Sequence, residues 1–238
     1  EAYLKEITDL NRERNQQLLT EAQQISQWFQ EAGIDHVFLK GTAMLASGYY
    51  QDIAERMVGD IDLIVSKKNL KKSFALLERH SYEGQEQILG NEFYPNQKHL
   101  PRLISSRFIG AVEIHQQILR KKNNLITSER ILLSKKTSQK LYIPSPQYLI
   151  KHCVLNHQIN DYGYLNGTLS LKSFYDFISI FKNNEGNSNS LFTTKYSKKF
   201  LALHGQYFRI FYNNSLINTI QIFNYQLKER NKSLNKLI

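Results

Sequence analysis

The chain has 238 residues, 41% of them hydrophobic and 22% charged, with one cysteine and a formal net charge of +10; this is globular composition, long enough for a sizeable core in one large or two small domains. A lone cysteine, Cys153, excludes an internal disulfide and suits a reducing compartment. The apolar runs are too short to cross a bilayer and no signal-peptide pattern is visible, so a soluble, cytoplasmic protein without membrane contact is expected.

Residues 4–32 read as a helix, with Leu18, Ala22, Ile25 and Phe29 at helical spacing and Gly33 as its stop. "HVFLK" (36–40) reads as a short strand, and Thr42 as the cap of a helix carrying Met44 and Leu45. "DIDLIV" (60–65) is a second strand, with Ile61, Leu63 and Val65 on one face and Asp60, Asp62 and Ile64 on the other. Residues 69–83 form an amphipathic helix, and 84–97 a loop or ragged hairpin. "KHLPRLIS" and "GAVEIHQQIL" read as two further strands. Beyond "PSPQ" (144–147) the signals are helical: 148–159, 169–181, 198–214 and 215–232, with an exposed loop at 183–190. The order implies an α+β protein, a small mixed sheet with flanking helices over residues 1–140, followed by a helical domain over 141–238.

Two carboxylates at i and i+2 of a strand project together and repel unless a cation joins them. Asp60 and Asp62 are therefore either an oxygen-ligand site for Mg²⁺ or Mn²⁺ or a solvated strand-edge pair. Three neighbours favour the metal. Lys40-Gly41-Thr42 stands where a strand meets a helix N-terminus, a place for phosphate. Arg56 precedes the carboxylate strand and suits an anion. Glu113 on a later strand offers a third carboxylate, with His115 on the same face. Lys40 has either a phosphate or a carboxylate to pair with; His115 either orients the site, contacts an acceptor or is a packed strand histidine.

The pieces "LKG", "R-x-x-GDIDL-x-V", "HLP" and "VEIH" occur in that order between residues 36 and 118. Together they resemble the bacterial uncharacterised nucleotidyltransferase family of the DNA polymerase β-like superfamily, and more loosely "LSLKSFYDF" does too. The resemblance implies a nucleotidyltransferase fold and a two-metal enzyme. It implies that Asp60, Asp62 and Glu113 hold Mg²⁺ or Mn²⁺ and are catalytic. Lys40, Gly41, Thr42, Arg56, Lys172 and Asp176 would line the site of a nucleoside triphosphate such as ATP, with His115 on the acceptor side. This chain has Gly-Thr where the superfamily has Gly-Ser, and Glu as its third carboxylate.

Up to Ile118 there are 13 Lys/Arg against 16 Asp/Glu; from Leu119 onward, 18 against 5. A basic second half suits an RNA or tRNA acceptor, with a protein hydroxyl or a small metabolite as rivals and oligomeric state undetermined. The other readings are a non-catalytic nucleotide- or partner-binding protein, and a toxin or defence module acting on tRNA.

Overall fold

The structure is a computed structural model that describes residues 1–85, 98–120, 124–184 and 193–208. The chain divides into two compact units, Glu1–Leu149 and Ile150–Ile238.

In the first unit, α1 (Ala2–Glu31) buries Leu18, Leu19, Ala22, Ile25 and Phe29, the stripe that the helical spacing predicts. It ends at Ala32, and Gly33 follows with a positive φ of 65°, a conformation that costs glycine nothing. Then come β1 (His36–Phe38), α2 (Lys40–Ser47), β2 (Asp60–Val65), α3 (Leu70–Arg79), β3 (Glu83–Gly84), β4 (Leu103–Ile104) and β5 (Ala111–His115). The five strands form one mixed sheet in the order β1-β2-β5-β4-β3. Only β2 and β5 run parallel; the other pairs are antiparallel. Ile61, Leu63 and Val65 are buried to 0–1% exposure, which fixes the register of β2 and sends its aspartates to the other face.

A short helix α4 (Ser128–Leu133) and a hairpin of β6 (Lys136–Ser138) and β7 (Leu141–Ile143) complete this unit. The sequence carries no hairpin signal there. Gln139 and Lys140 at the tip both take positive φ, 47° and 64°, without a glycine or asparagine. The Gln139 carbonyl accepts from Gln23 and the Lys140 carbonyl from Ser26, so α1 supports a turn that its own residues disfavour.

The described residues of the second unit are helical, as the sequence predicts. Helix α5 (Pro146–Leu155) crosses the unit boundary and runs into a π turn at Asn156–Asn160. Helices α6 (Gly163–Asn166), α7 (Leu171–Lys182) and α8 (Lys195–Phe208) follow. The Ser170 side chain caps α7 by accepting from the Ser173 N–H. Phe174, Phe177, Ile180, Phe181, Phe200 and Leu201 make the core of this unit. Among the described residues no helix is long and apolar enough to cross a membrane. The helix expected over 215–232 and most of the loops at 84–97 and 183–190 lie outside the described residues.

Candidate active site

The register of the parallel pair builds the site. Asp62 lies opposite Glu113 and Ile64 opposite His115, so the D-x-D strand and the "VEIH" strand present their polar side chains to the same side. Asp62 is buried, at 5% exposure, and Glu113 is half-buried. Asp62 Oδ1 accepts from His115 Nε2 at 2.7 Å, and the same nitrogen lies 3.5 Å from Glu113 Oε2. Lys40 donates its ammonium to Asp62 Oδ1 and stands 3.8 Å from Glu113 Oε2. His99 Nε2 is 4.0 Å from the same Glu113 oxygen, and His99 Nδ1 donates to the carbonyl of Leu100 at 2.8 Å.

Charge explains how these groups coexist. Burial alone would push the Asp62 carboxyl up, but Lys40 and His115 reverse this and hold it well below the usual carboxylate range. The His115 hydrogen bond likewise holds Glu113 down, against burial and the repulsion of Asp62. Burial alone would lower the Lys40 ammonium; Asp62, and then Glu113 and Asp60, turn the balance and raise it.

Asp60, the other aspartate of the pair, stays on the same strand face but is engaged differently. It is half-exposed, and Arg102 beside β4 donates to its Oδ1. Arg102 carries no sequence signal for this role, because only the β4–β5 pairing brings it there.

The segment between β1 and α2 is pinned onto the site. The Leu39 N–H donates to the Asp62 carbonyl at 2.8 Å, continuing the β1–β2 pairing past Phe38. Helix α2 then starts at Lys40 with Leu39 as its N-cap, so Thr42 lies inside the first turn rather than at the cap. The residue before the first turn is set by strand pairing, which a capping preference does not register. The first intrahelical bond runs from the Ala43 N–H to the Leu39 carbonyl, which places the amides of Lys40, Gly41 and Thr42 ahead of the ladder. Gly41 is required by space: an added Cβ would lie 2.9 Å from both methyl carbons of Val58. Thr42 is buried at 1% exposure and its Oγ1 has no hydrogen-bond partner among the described residues. Lys40 itself takes a positive φ of 46°, a conformation that costs a non-glycine residue about 1–2 kcal/mol.

The loop ahead of β2 is held by α1. Asn15, fully buried in the helix, donates from Nδ2 to the carbonyls of Ile53 (2.6 Å) and Arg56 (2.7 Å). Asn11 donates to the Ala54 carbonyl at 2.7 Å, and Arg14 to the carbonyls of Val58 and Gly59 at 3.3 Å. Arg12 grips both carboxylate oxygens of Asp52, which also caps a short 3₁₀ turn at Ile53–Glu55. These four residues position the carboxylate strand, and sequence reading missed them because a helical asparagine or arginine reads as surface. Arg56 is buried, and its Nη1 donates to the Met57 carbonyl at 2.5 Å. Lys172 is exposed and Asp176 buried on α7, in the second unit.

The structure thus brings together Lys40, Asp62, Glu113 and His115, with Asp60 alongside. The donor chemistry fits a hard divalent ion at the carboxylates: Asp62, Glu113 and His115 each offer a ligand atom, all within 4.8 Å of one another. His115 fits better as an orienting donor than as a ligand. Its Nε2 faces Asp62, while its buried Nδ1 has no hydrogen-bond partner among the described residues. Ligation through Nε2 would move the proton to that unsupported nitrogen.

The sequence model of a family described as uncharacterised nucleotidyltransferase matches residues 1–203. No curated protein matches the chain. Among solved structures, an antigenic nucleotidyltransferase-like protein from Paracoccidioides brasiliensis is 18% identical, with a TM-score of 0.52 over 82% of this chain and 90% of that one, a likeness of fold. The antibiotic-resistance factor ANT(2'')-Ia is 13% identical, with a TM-score of 0.46 over 81% of this chain and 92% of that one. The lincosamide antibiotic adenylyltransferase LnuA, solved with lincomycin, is 13% identical, with a TM-score of 0.42 over 64% and 89%.

Proposed function

The chain belongs to the uncharacterised nucleotidyltransferase family, and from that premise we propose that it transfers a nucleoside monophosphate from a nucleoside triphosphate to a hydroxyl acceptor. The observation that carries this reading is the pairing of Asp62 with Glu113 on adjacent parallel strands, with the Lys40 ammonium at the start of α2 reaching both. Asp62 and Glu113, with Asp60 on the same strand face, would hold Mg²⁺ or Mn²⁺, which when bound would supply Lewis-acid charge for the triphosphate. The first-turn amides of α2 at Lys40, Gly41 and Thr42 bind the terminal phosphates, and the bare Cα of Gly41 lets this turn pack on Val58. Arg56, just ahead of β2 in the same unit, belongs to the nucleotide's surroundings in this reading.

The acceptor oxygen forms its bond to the α-phosphorus as the bond from that phosphorus to the β-bridging oxygen breaks. Pyrophosphate leaves with the bonding pair, and Glu113 is the carboxylate that takes the hydroxyl proton. His115 keeps Asp62 in one rotamer through Nε2, so the charge is placed before substrate arrives. The 18 basic against 5 acidic residues from Leu119 onward favour an anionic acceptor, an RNA end.

The test is to incubate the protein with each α-labelled triphosphate, Mg²⁺ and RNA or protein fractions of a cell extract. Label in the RNA fraction that falls steeply with added salt supports the reading. Equal labelling by Asp62→Asn and wild type overturns the enzyme assignment, and label confined to protein or small molecules overturns the RNA acceptor alone.

A further inference from the structure

We propose that Lys40 supplies from within the chain the positive charge that a second metal ion would bring, so that the site takes one divalent cation. This rests on the nucleotidyltransferase reading and sharpens it. The Lys40 ammonium sits on Asp62 Oδ1 and 3.8 Å from Glu113 Oε2, between the two carboxylates that a pair of ions would have to share. Asp62 Oδ1 further accepts from His115 Nε2, which also lies 3.5 Å from Glu113 Oε2, and His99 Nε2 stands 4.0 Å from that same oxygen. These contacts fall on Asp62 Oδ1 and Glu113 Oε2, and so leave Asp62 Oδ2 and Glu113 Oε1, one oxygen on each side, to face an ion. One oxygen from each of two carboxylates, completed by water and phosphate, is ordinary ligation for one hard ion.

Two further facts agree. Asp60, which would serve a second ion, is held by Arg102. Asp60, Asp62 and Glu113 already face the fixed positive charges of Lys40 and Arg102, which reduces the negative charge left to hold a second divalent ion beside the first. The backbone is built for this placement. Lys40 keeps its φ of 46° at the first residue of α2, where glycine would be free of strain, and the lysine is repaid by the carboxylates its side chain reaches.

The experiment counts Mn²⁺ bound to the full chain by electron paramagnetic resonance, without nucleotide, in wild type, Lys40→Gly, Lys40→Met and Lys40→Arg. Lys40→Gly suits the positive φ, so its fold is secure if Lys40→Met proves unstable. One ion is expected in wild type and Lys40→Arg. Lys40→Gly and Lys40→Met should take a second ion, or bind the first roughly tenfold more tightly, as removal of a neighbouring unit charge implies. Two ions in wild type, or the same number and affinity in all four proteins, overturn the role of Lys40 and leave the transfer reading standing. No Mn²⁺ in any of the four overturns the metal-dependent reading itself.

Discussion

Acidification should unlock the helical unit through a single imidazole. His204 is fully buried on α8, its Nδ1–H donating to the Phe200 carbonyl at 2.7 Å and its Nε2 accepting from the Ser170 N–H at 3.1 Å. The ring packs on Phe174 and Phe200 and meets His157 edge-on. Both nitrogens are committed, so a second proton on Nε2 would face the Ser170 donor in an apolar surround. Burial pushes the His204 pKa down from 6.5 to about 4, with His157 adding to the effect. The sign follows: a depressed folded pKa contributes stability that is complete above pH 6.5 and lost as pH falls through 4. The difference corresponds to about 3 kcal/mol in all, of which about 2 kcal/mol is gone by pH 5. Urea unfolding at pH 7 and pH 5, followed by far-ultraviolet circular dichroism, measures it. His204→Phe removes the titration and loses both hydrogen bonds at every pH, so it should be less stable at pH 7 yet show a pH dependence flatter by about 2 kcal/mol. Parallel curves for wild type and His204→Phe would refute the tautomer argument.

Three other outcomes are expected. Asn15→Ala leaves the carbonyls of Ile53 and Arg56 without their buried donor; it should cost about 2–4 kcal/mol, and hydrogen exchange should quicken at residues 53–59, far from the substitution in sequence. Gly41→Ala drives a Cβ into Val58 and should cost about 1–3 kcal/mol, with melting temperature recovered in Gly41→Ala/Val58→Ala if the clash is the cause. Glu21→Gln places an amide NH₂ against one of the two donors that the carboxylate now accepts, the Tyr82 hydroxyl at 2.7 Å or the Gly110 N–H at 2.8 Å. A loss of about 1–3 kcal/mol in denaturant unfolding is expected; no loss would mean that the ionised carboxylate is not what these donors require.

What the sequence revealed and what it hid divide along local and non-local physics. The two-residue period of "DIDLIV" shows which side chains share a face, and the i+2 spacing of "VEIH" places Glu113 with His115. The helical stripe of α1 and its stop at Gly33 are equally local. The parallel pairing of β2 with β5 is a property of the whole sheet, and so is the arrival of Arg102 at Asp60. "KHLPRLIS" narrows to a two-residue strand, Leu103–Ile104, with His99 making an isolated bridge to His115; its apolar residues alone do not limit the pairing. The place of Lys40 at the strand-to-helix turn is legible, and a carboxylate is one of the two partners its sequence position offers, but its left-handed backbone is not, since lysine gives no sign of positive φ.

The parallel pairing has a consequence for how the protein folds. Asp62 and Glu113 are partners across β2 and β5 yet stand 51 positions apart, by subtraction of their numbers. Such a contact closes a long loop and comes late, because its entropy must be met before the pairing rewards it. A chain caught before β5 docks has an aspartate strand and no third carboxylate. A divalent ion gripped by both strands would then leave the refolding rate unchanged and slow only unfolding, making the metal a brake on the way out of the native state rather than a guide into it.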